Sequence, residues 1–299
     1  MHGLVVKTQS GFFWVQTGEQ ELVCQLRGRL KKGGRRGDIV AIGDRVAVTR
    51  LEDGSGVIEE VLPRVRVFHR LDPSPEGLYE QILIANPDQA LLVFACSHPE
   101  PRLAMLDRFL VICERQGIPA AIVANKVDLI GMQAAQQLFG HYPGLGYAVV
   151  YTSVVDGQGL DDLHRRLSGQ MSLLAGPSGV GKSSLLNAIQ PGLGQLTRQI
   201  SRSTRKGRHT TVVRQLFPLL DGGYVADTPG LKALGLWDIQ PEELDAYFPE
   251  LRELVAQCAF SDCTHVHEPG CAVRQAVAAG AVHPDRYRSY VKIRFGEEE

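Results

Sequence analysis

Two short stretches carry most of the chemistry available to this chain. The first is Gly176-Pro177-Ser178-Gly179-Val180-Gly181-Lys182-Ser183, followed by Ser184, which fits G-x-x-x-x-G-K-[ST]. Glycines in such a loop let backbone N–H groups turn inward around phosphate oxygens. Lys182 reaches the terminal phosphates, and the Ser183 hydroxyl can coordinate Mg2+. An apolar run precedes the loop and a helical stretch, "SLLNAI", follows, so a helix N-terminus favours negative charge there. The second stretch, "CAFSDCTHVHEPGC", places Cys258, Cys263, His265 and Cys271 at the spacing C-x4-C-x-H-x5-C. Three thiolates and one imidazole suit a closed, tetrahedral zinc site with a structural role. Spacing alone leaves His267 open as the alternative to His265.

A phosphate loop does not choose between bases. That choice falls to Asn125-Lys126-Val127-Asp128, directly after the apolar run "AAIVA". The Asp128 carboxylate can accept from N1–H and the N2 amino group of guanine together, and adenine offers neither donor there. Asn125 either reaches the far edge of the base or ties neighbouring loops together, and the stem of Lys126 can lie across the ring. Thr152-Ser153, ending "YAVVYTS", offers a backbone contact to the guanine oxygen. Asp227 opens "DTPG" and fits a second Mg2+ position, through water, while the Gly230 N–H can sense a γ-phosphate. In "GRHTT", Thr211 or Thr210 can complete the Mg2+ shell when triphosphate is bound, ordering that loop until hydrolysis. Many GTPases place Gln after D-x-x-G to orient water. Here Leu231 stands there, so intrinsic hydrolysis is expected to be slow. His209 is the local candidate to align the water, with Lys182 stabilising charge.

Larger elements must hold these loops. Residues 1 to 66 read as five short strands rich in Val, Ile, Phe and Trp, a small β-barrel of the OB type or an SH3-like one. From about 80, apolar strands alternate with helices, which predicts an α/β sheet with ligands at the carboxyl ends of its strands. After about 235 the chain reads as helical around the cysteine cluster. The expected division is therefore 1–66, 67–235 and 236–299. The chain has 299 residues and a net charge of −1, so overall charge says nothing about partners. No apolar run is long enough for a transmembrane helix, and the start lacks a secretory pattern. Cys24, Cys96 and Cys113 sit in apolar context and read as small buried hydrophobes. The run "RGRLKKGGRR", Arg27 to Arg36, holds six basic residues and no acidic one. On an OB barrel such a run suits phosphate backbones, and one or two of Phe12, Phe13 and Trp14 can offer stacking surfaces. Strand alternation requires at least one of these aromatics in the core.

The motif order is "NKVD", "TS", the phosphate loop, "GRHTT", then "DTPG". That is the order of an ordinary GTPase with its termini moved. With a barrel in front and a cysteine-rich segment behind, the whole chain closely resembles the circularly permuted ribosome-assembly GTPases called RsgA, YjeQ or YloQ. The resemblance implies an N-terminal OB fold, a central circularly permuted P-loop GTPase domain and a C-terminal, mainly helical zinc-binding domain. It also implies binding to the small ribosomal subunit and its rRNA late in maturation, with GTP hydrolysis stimulated by the subunit, and it favours His265 as the zinc ligand. A cytoplasmic monomer handling GTP and GDP with Mg2+ is the expectation. The competing readings are a P-loop ATPase or kinase with a nucleic-acid-binding arm, and a zinc-stabilised RNA-binding module that keeps GTP as a structural ligand.

Overall fold

The computed structural model describes residues 1–31, 38–74, 77–196, 214–227 and 239–296, with backbone alone at 31, 70–74, 77–79 and 227. Strands β1 (His2–Gln9), β2 (Phe12–Thr17), β3 (Gln20–Leu26), β4 (Arg45–Arg50) and β5 (Gly56–Val61) close into a barrel in the order β1-β2-β3-β5-β4-β1. Period-two alternation turns Val5, Phe13, Val15, Leu22, Cys24, Val46, Val48 and Ile58 inward. The parallel β3–β5 pairing that completes the ring is the OB-type closure, not the SH3-like one. A helical turn, α1 (Gly28–Lys31), follows β3.

The stretch "DIVAIGDRVAVTRL" reads as one strand in the sequence, but only Arg45–Arg50 is extended. The Asp44 carboxylate accepts from the Ala41 N–H at 2.8 Å and folds the preceding residues into a turn. Gly43 permits it: its φ is +86°, and a Cβ there would lie 2.0 Å from the Ala85 carbonyl oxygen. A hairpin absent from the sequence reading, β6 (Val67–Ser74) and β7 (Gly77–Ala85), leads out of the barrel.

The central sheet runs β10 (Ala148–Thr152), β9 (Ala120–Asn125), β8 (Gln89–Ala95), β11 (Met171–Ala175), β13 (Tyr224–Asp227), β12 (Arg214–Pro218). All are parallel except β12. β8 is buried along its whole length, as a strand covered on both faces must be. Helices α2 (Leu103–Arg115), α3 (Met132–Phe139), α4 (Leu160–Leu167) and α5 (Lys182–Ile189) cover the faces over two apolar clusters. The chain runs from β8 through β9 to β10 at one edge, then returns to place β11 on the other side of β8. The crevice between the ends of β8 and β11 is therefore the topological switch point, where open α/β sheets bind ligands.

β1 also pairs with β12, Lys7 opposite Gln215, so the barrel and the central strands form one continuous eleven-stranded sheet. Behind the sheet lie a 3-10 helix (Pro241–Tyr247) and helices α6 (Pro249–Val255), α7 (Ala272–Ala278) and α8 (Pro284–Arg294). The single helix that "PEELDAYFPELRELVAQC" suggests is broken, because Pro249 holds Phe248 extended. Val111 of α2 joins the apolar core that these C-terminal helices share, so α2 is buried on two sides. No helix among the described residues is long and apolar enough to cross a membrane.

Candidate nucleotide site and metal centre

Every described nucleotide motif sits at a carboxyl end of the parallel sheet. The phosphate loop leaves β11, Asn125 ends β9, Thr152 ends β10 and the Asp227 backbone ends β13. Gly176, Gly179 and Gly181 have φ of +144°, +85° and +99°. A Cβ would lie 2.1 Å from the Val93 carbonyl oxygen at Gly176 and 2.4 Å from Asn125 Nδ2 at Gly181. The glycines thus serve close approach as well as turning. Val180 points down into the core, while Ser178 and Gly179 are exposed above it. Lys182 Nζ donates to the carbonyls of Gly176 and Pro177, at 2.7 and 2.8 Å, across the mouth of the loop. Ser183 and Ser184 lie on the first turn of α5.

The base-reading side is built on buried polar contacts. Asn125 is 2% exposed. Its Nδ2 donates to the Val180 carbonyl at 2.8 Å, and its Oδ1 accepts from the Thr152 hydroxyl at 3.0 Å. Of the two roles open to Asn125, the structure displays loop-tying. Lys126 donates to the carbonyls of Gly179 and His98. Val127 is buried under a 3-10 turn (Val127–Leu129) that leaves Asp128 exposed at the rim. Burial, and then the Asp128 charge, push the neighbouring Cys96 thiol up to about 11, so it stays protonated and inert. Ser153 is fully buried; its hydroxyl accepts from the Val155 N–H at 3.2 Å and its N–H donates to the Gln158 carbonyl at 3.0 Å. His209, Thr210, Thr211, Gly230 and Leu231 lie outside the described residues, as does the side chain of Asp227.

The ligand atoms of Cys258, Cys263, His265 and Cys271 all lie within 4.8 Å of one another. His265 Nδ1 is 3.5 Å from the sulfurs of Cys258 and Cys271, which are 3.9 Å apart. A tetrahedron with Zn–S about 2.3 Å and Zn–N about 2.0–2.1 Å has S···S edges of roughly 3.8 Å and S···N edges of roughly 3.5 Å. The four residues could therefore hold a metal ion, and their donor set and dimensions fit zinc. His267 points away: its side chain is 78% exposed, whereas that of His265 is fully buried.

One feature escapes sequence reasoning. Asp245 Oδ2 lies 3.2 Å from His265 Nε2, the carboxylate–imidazole arrangement that orients a metal-binding histidine. It comes from the 3-10 helix twenty residues upstream, and "PEELDAYF" carries no signal for it. The basic run that the sequence singles out is described only at its start. Arg27 and Arg29 both engage Glu59, while residues 32–37 lie outside the described part. Of the aromatics, Phe13 is core and Phe12 is exposed. Trp14 packs toward the central sheet, with Lys7 Nζ 4.3 Å above its ring.

Comparison with known proteins agrees with this geometry. The RsgA GTPase family model matches residues 61–237 and the RsgA N-terminal domain model matches residues 2–58. A protein of Gemmatimonas aurantiaca named small ribosomal subunit biogenesis GTPase RsgA is 46% identical over 296 residues, covering 98% of this chain and 96% of its own. Its namesake from Moorella thermoacetica is 42% identical over 291 residues, 97% of this chain and 95% of its own. Among solved structures, YjeQ from Thermotoga maritima superposes with a TM-score of 0.80 at 38% identity, covering 99% of this chain and 97% of that one. YloQ, described as a circularly permuted GTPase, gives 0.75 at 34% identity, covering 99% and 94%. Fold, motif order and these matches coincide: the chain belongs to the RsgA GTPase family.

Proposed function

We propose that the protein hydrolyses GTP to GDP and phosphate and assists late maturation of the small ribosomal subunit, which stimulates its turnover. The observation that carries this reading is convergence. Asn125, Asp128, Thr152, Ser153 and the loop Gly176–Ser184 meet at the carboxyl ends of adjacent parallel strands, in a chain whose relatives are named small ribosomal subunit biogenesis GTPases. The division 1–66, 67–235, 236–299 belongs to the same proposal; β5 ends at Val61 and β6 begins at Val67.

In this mechanism the N–H groups of Ser178 to Ser183 cradle the phosphates, and Lys182 exchanges its two carbonyl acceptors for phosphate oxygens. Asp128 reads the guanine edge and Asn125 holds base loop and phosphate loop in register. Mg2+ would be held by Ser183, by Thr211 or Thr210, and by Asp227 through water; when bound it neutralises charge on the phosphates. His209 aligns the attacking water in place of the glutamine that Leu231 replaces. Zinc, held by Cys258, Cys263, His265 and Cys271, is structural. The protein works as a cytoplasmic monomer, and its barrel meets rRNA through the basic run.

The test is GTP turnover with and without purified small subunits, run beside Lys182→Ala and Asp128→Asn. Lys182→Ala is expected to lose stimulated turnover. Asp128→Asn is expected to shift preference toward xanthosine triphosphate. Equal turnover of ATP by the wild type, or no response to the subunit, overturns the proposal.

A further inference from the structure

The switch-point crevice has two walls. One is the phosphate loop after β11. The other is a turn after β8, Ser97-His98-Pro99, that no nucleotide motif covers. Four observations single it out. His98 has φ +47° and Lys126 has φ +63°, two non-glycine residues in the left-handed region, where strain tends to cluster at functional sites. The ammonium of Lys126 bridges the carbonyls of His98 and Gly179, joining the turn to the phosphate loop. Ser97 is only 7% exposed, and its hydroxyl lies 2.8 Å from His98 Nδ1, so the ring is engaged within the turn. A Cβ on Gly179 would be in van der Waals contact with Pro99 at 3.7 Å, so the turn abuts the loop directly.

We propose that the Ser97–Pro99 turn is a positioning element for guanine binding: its His98 carbonyl, with that of Gly179, pins the Lys126 side chain across the base site. This rests on the guanine reading of Asp128 given above. A lysine stem free in solution loses rotamer freedom when a ligand packs on it. Two carbonyl acceptors impose that order before the nucleotide arrives, and pre-organisation of this kind raises affinity. The His98 ring is held outside, by Ser97; the backbone conformation at His98 does the positioning.

The experiment uses the full-length, zinc-loaded protein and a fluorescent GDP analogue, with kcat at saturating GTP measured alongside. His98→Gly keeps the carbonyl and tolerates positive φ; His98→Val opposes it through its β-branch. The glycine variant is expected to bind within about twofold of wild type. The valine variant is expected to bind about tenfold more weakly, the lower end of what a hydrogen bond to a charged group contributes. kcat and Tm stay near wild type in both. If valine misfolds, His98→Ala takes its place: its Cβ also disfavours positive φ, so severalfold weaker binding is expected, with His98→Asn, which tolerates that backbone, restoring it. Wild-type affinity in the valine variant, or in His98→Ala where valine misfolds, overturns the proposal. Equal losses in glycine and valine overturn it too, since the ring would then be the contact. If the wild type itself fails to bind the GDP analogue, the guanine reading falls instead.

Discussion

The barrel meets the central sheet edge to edge, whereas the region that carries the cysteine–histidine cluster meets it through one face of α2 and the neighbouring His141–Tyr142 segment. At the barrel junction the link is backbone pairing, β1 with β12, backed by ion pairs at its margin. Arg214 lies 3.1 Å from Asp38, both about one-fifth exposed. Arg64 grips the buried Asp44 at 2.7 Å. At the other junction the link is side chains. Arg286 of α8, 1% exposed, reaches Asp107 of α2 at 2.6 Å and Glu250 of α6 at 2.6 and 3.1 Å. The Tyr142 hydroxyl donates to the same Asp107 at 2.8 Å, and the Phe248 ring lies 4.5 Å from the guanidinium. The rings of His141 and His283 stack beside them at 4.0 Å. Main-chain pairing depends little on side-chain identity, so the partly exposed Arg214–Asp38 pair at the first junction should tolerate substitution. A buried charge left without its partner is costly, so the second should not.

The comparison can be broken most severely by removing the metal. Chelation, or Cys271→Ser, should abolish the folded state of the C-terminal region, since a structural zinc site contributes on the order of 10 kcal/mol in apparent binding energy. Limited proteolysis and zinc content report it; a barrel that melts with that region would contradict independent docking. Next is Arg286→Ala, expected to cost about 3–5 kcal/mol in chemical denaturation, because Asp107 and Glu250 stay buried and unpaired. A loss below about 1 kcal/mol would mean that water enters the junction readily.

A smaller effect should appear with pH. His141 is partly buried, and among the described residues neither of its ring nitrogens, both shielded from solvent, has a hydrogen-bond partner. Burial first, then the neighbouring His283 and Arg286, push it down to about 4, with Glu250 opposing. The unfolded chain takes up this proton near 6.5 while the folded chain refuses it until about 4. The contribution is therefore complete above pH 6.5 and is lost as pH falls from there to 4. His141→Phe keeps the stacking and should flatten the Tm-against-pH curve in that window alone; an unchanged curve would exonerate His141. Smallest is Arg214→Ala at the barrel edge, expected to cost about 1 kcal/mol or less, as partly exposed pairs do, with the barrel still docked by small-angle scattering. Detachment of the barrel would reverse the ranking of the two junctions.

How much of this was legible differs by region. The phosphate loop, "NKVD" and "TS" each announce themselves because strand, loop and ligand-facing residues are contiguous in the chain. Five barrel strands were visible through their alternation, although the segment 38–44 read as strand until Asp44 and Gly43 folded it into a turn. The long helix expected after 240 failed at Phe248-Pro249, where a local proline outweighed helical periodicity. Helix α3 and the hairpin β6–β7 left no clear pattern.

The sequence by itself determined which chemistry is on offer: a glycine-rich loop of the phosphate-binding pattern, a carboxylate at Asp128 suited to a guanine edge, and a sulfur-rich set of metal ligands, because each rests on residues spaced within one turn or one loop. Only the tertiary structure decided which groups make these sites work together. Asp245 comes to His265 from twenty residues away, His98 comes to Lys126 from a different strand end, and Arg286 comes to Asp107 across 179 residues. Such partners are chosen by strand order and helix docking, which depend on burial summed over the whole chain, and no local spacing records them.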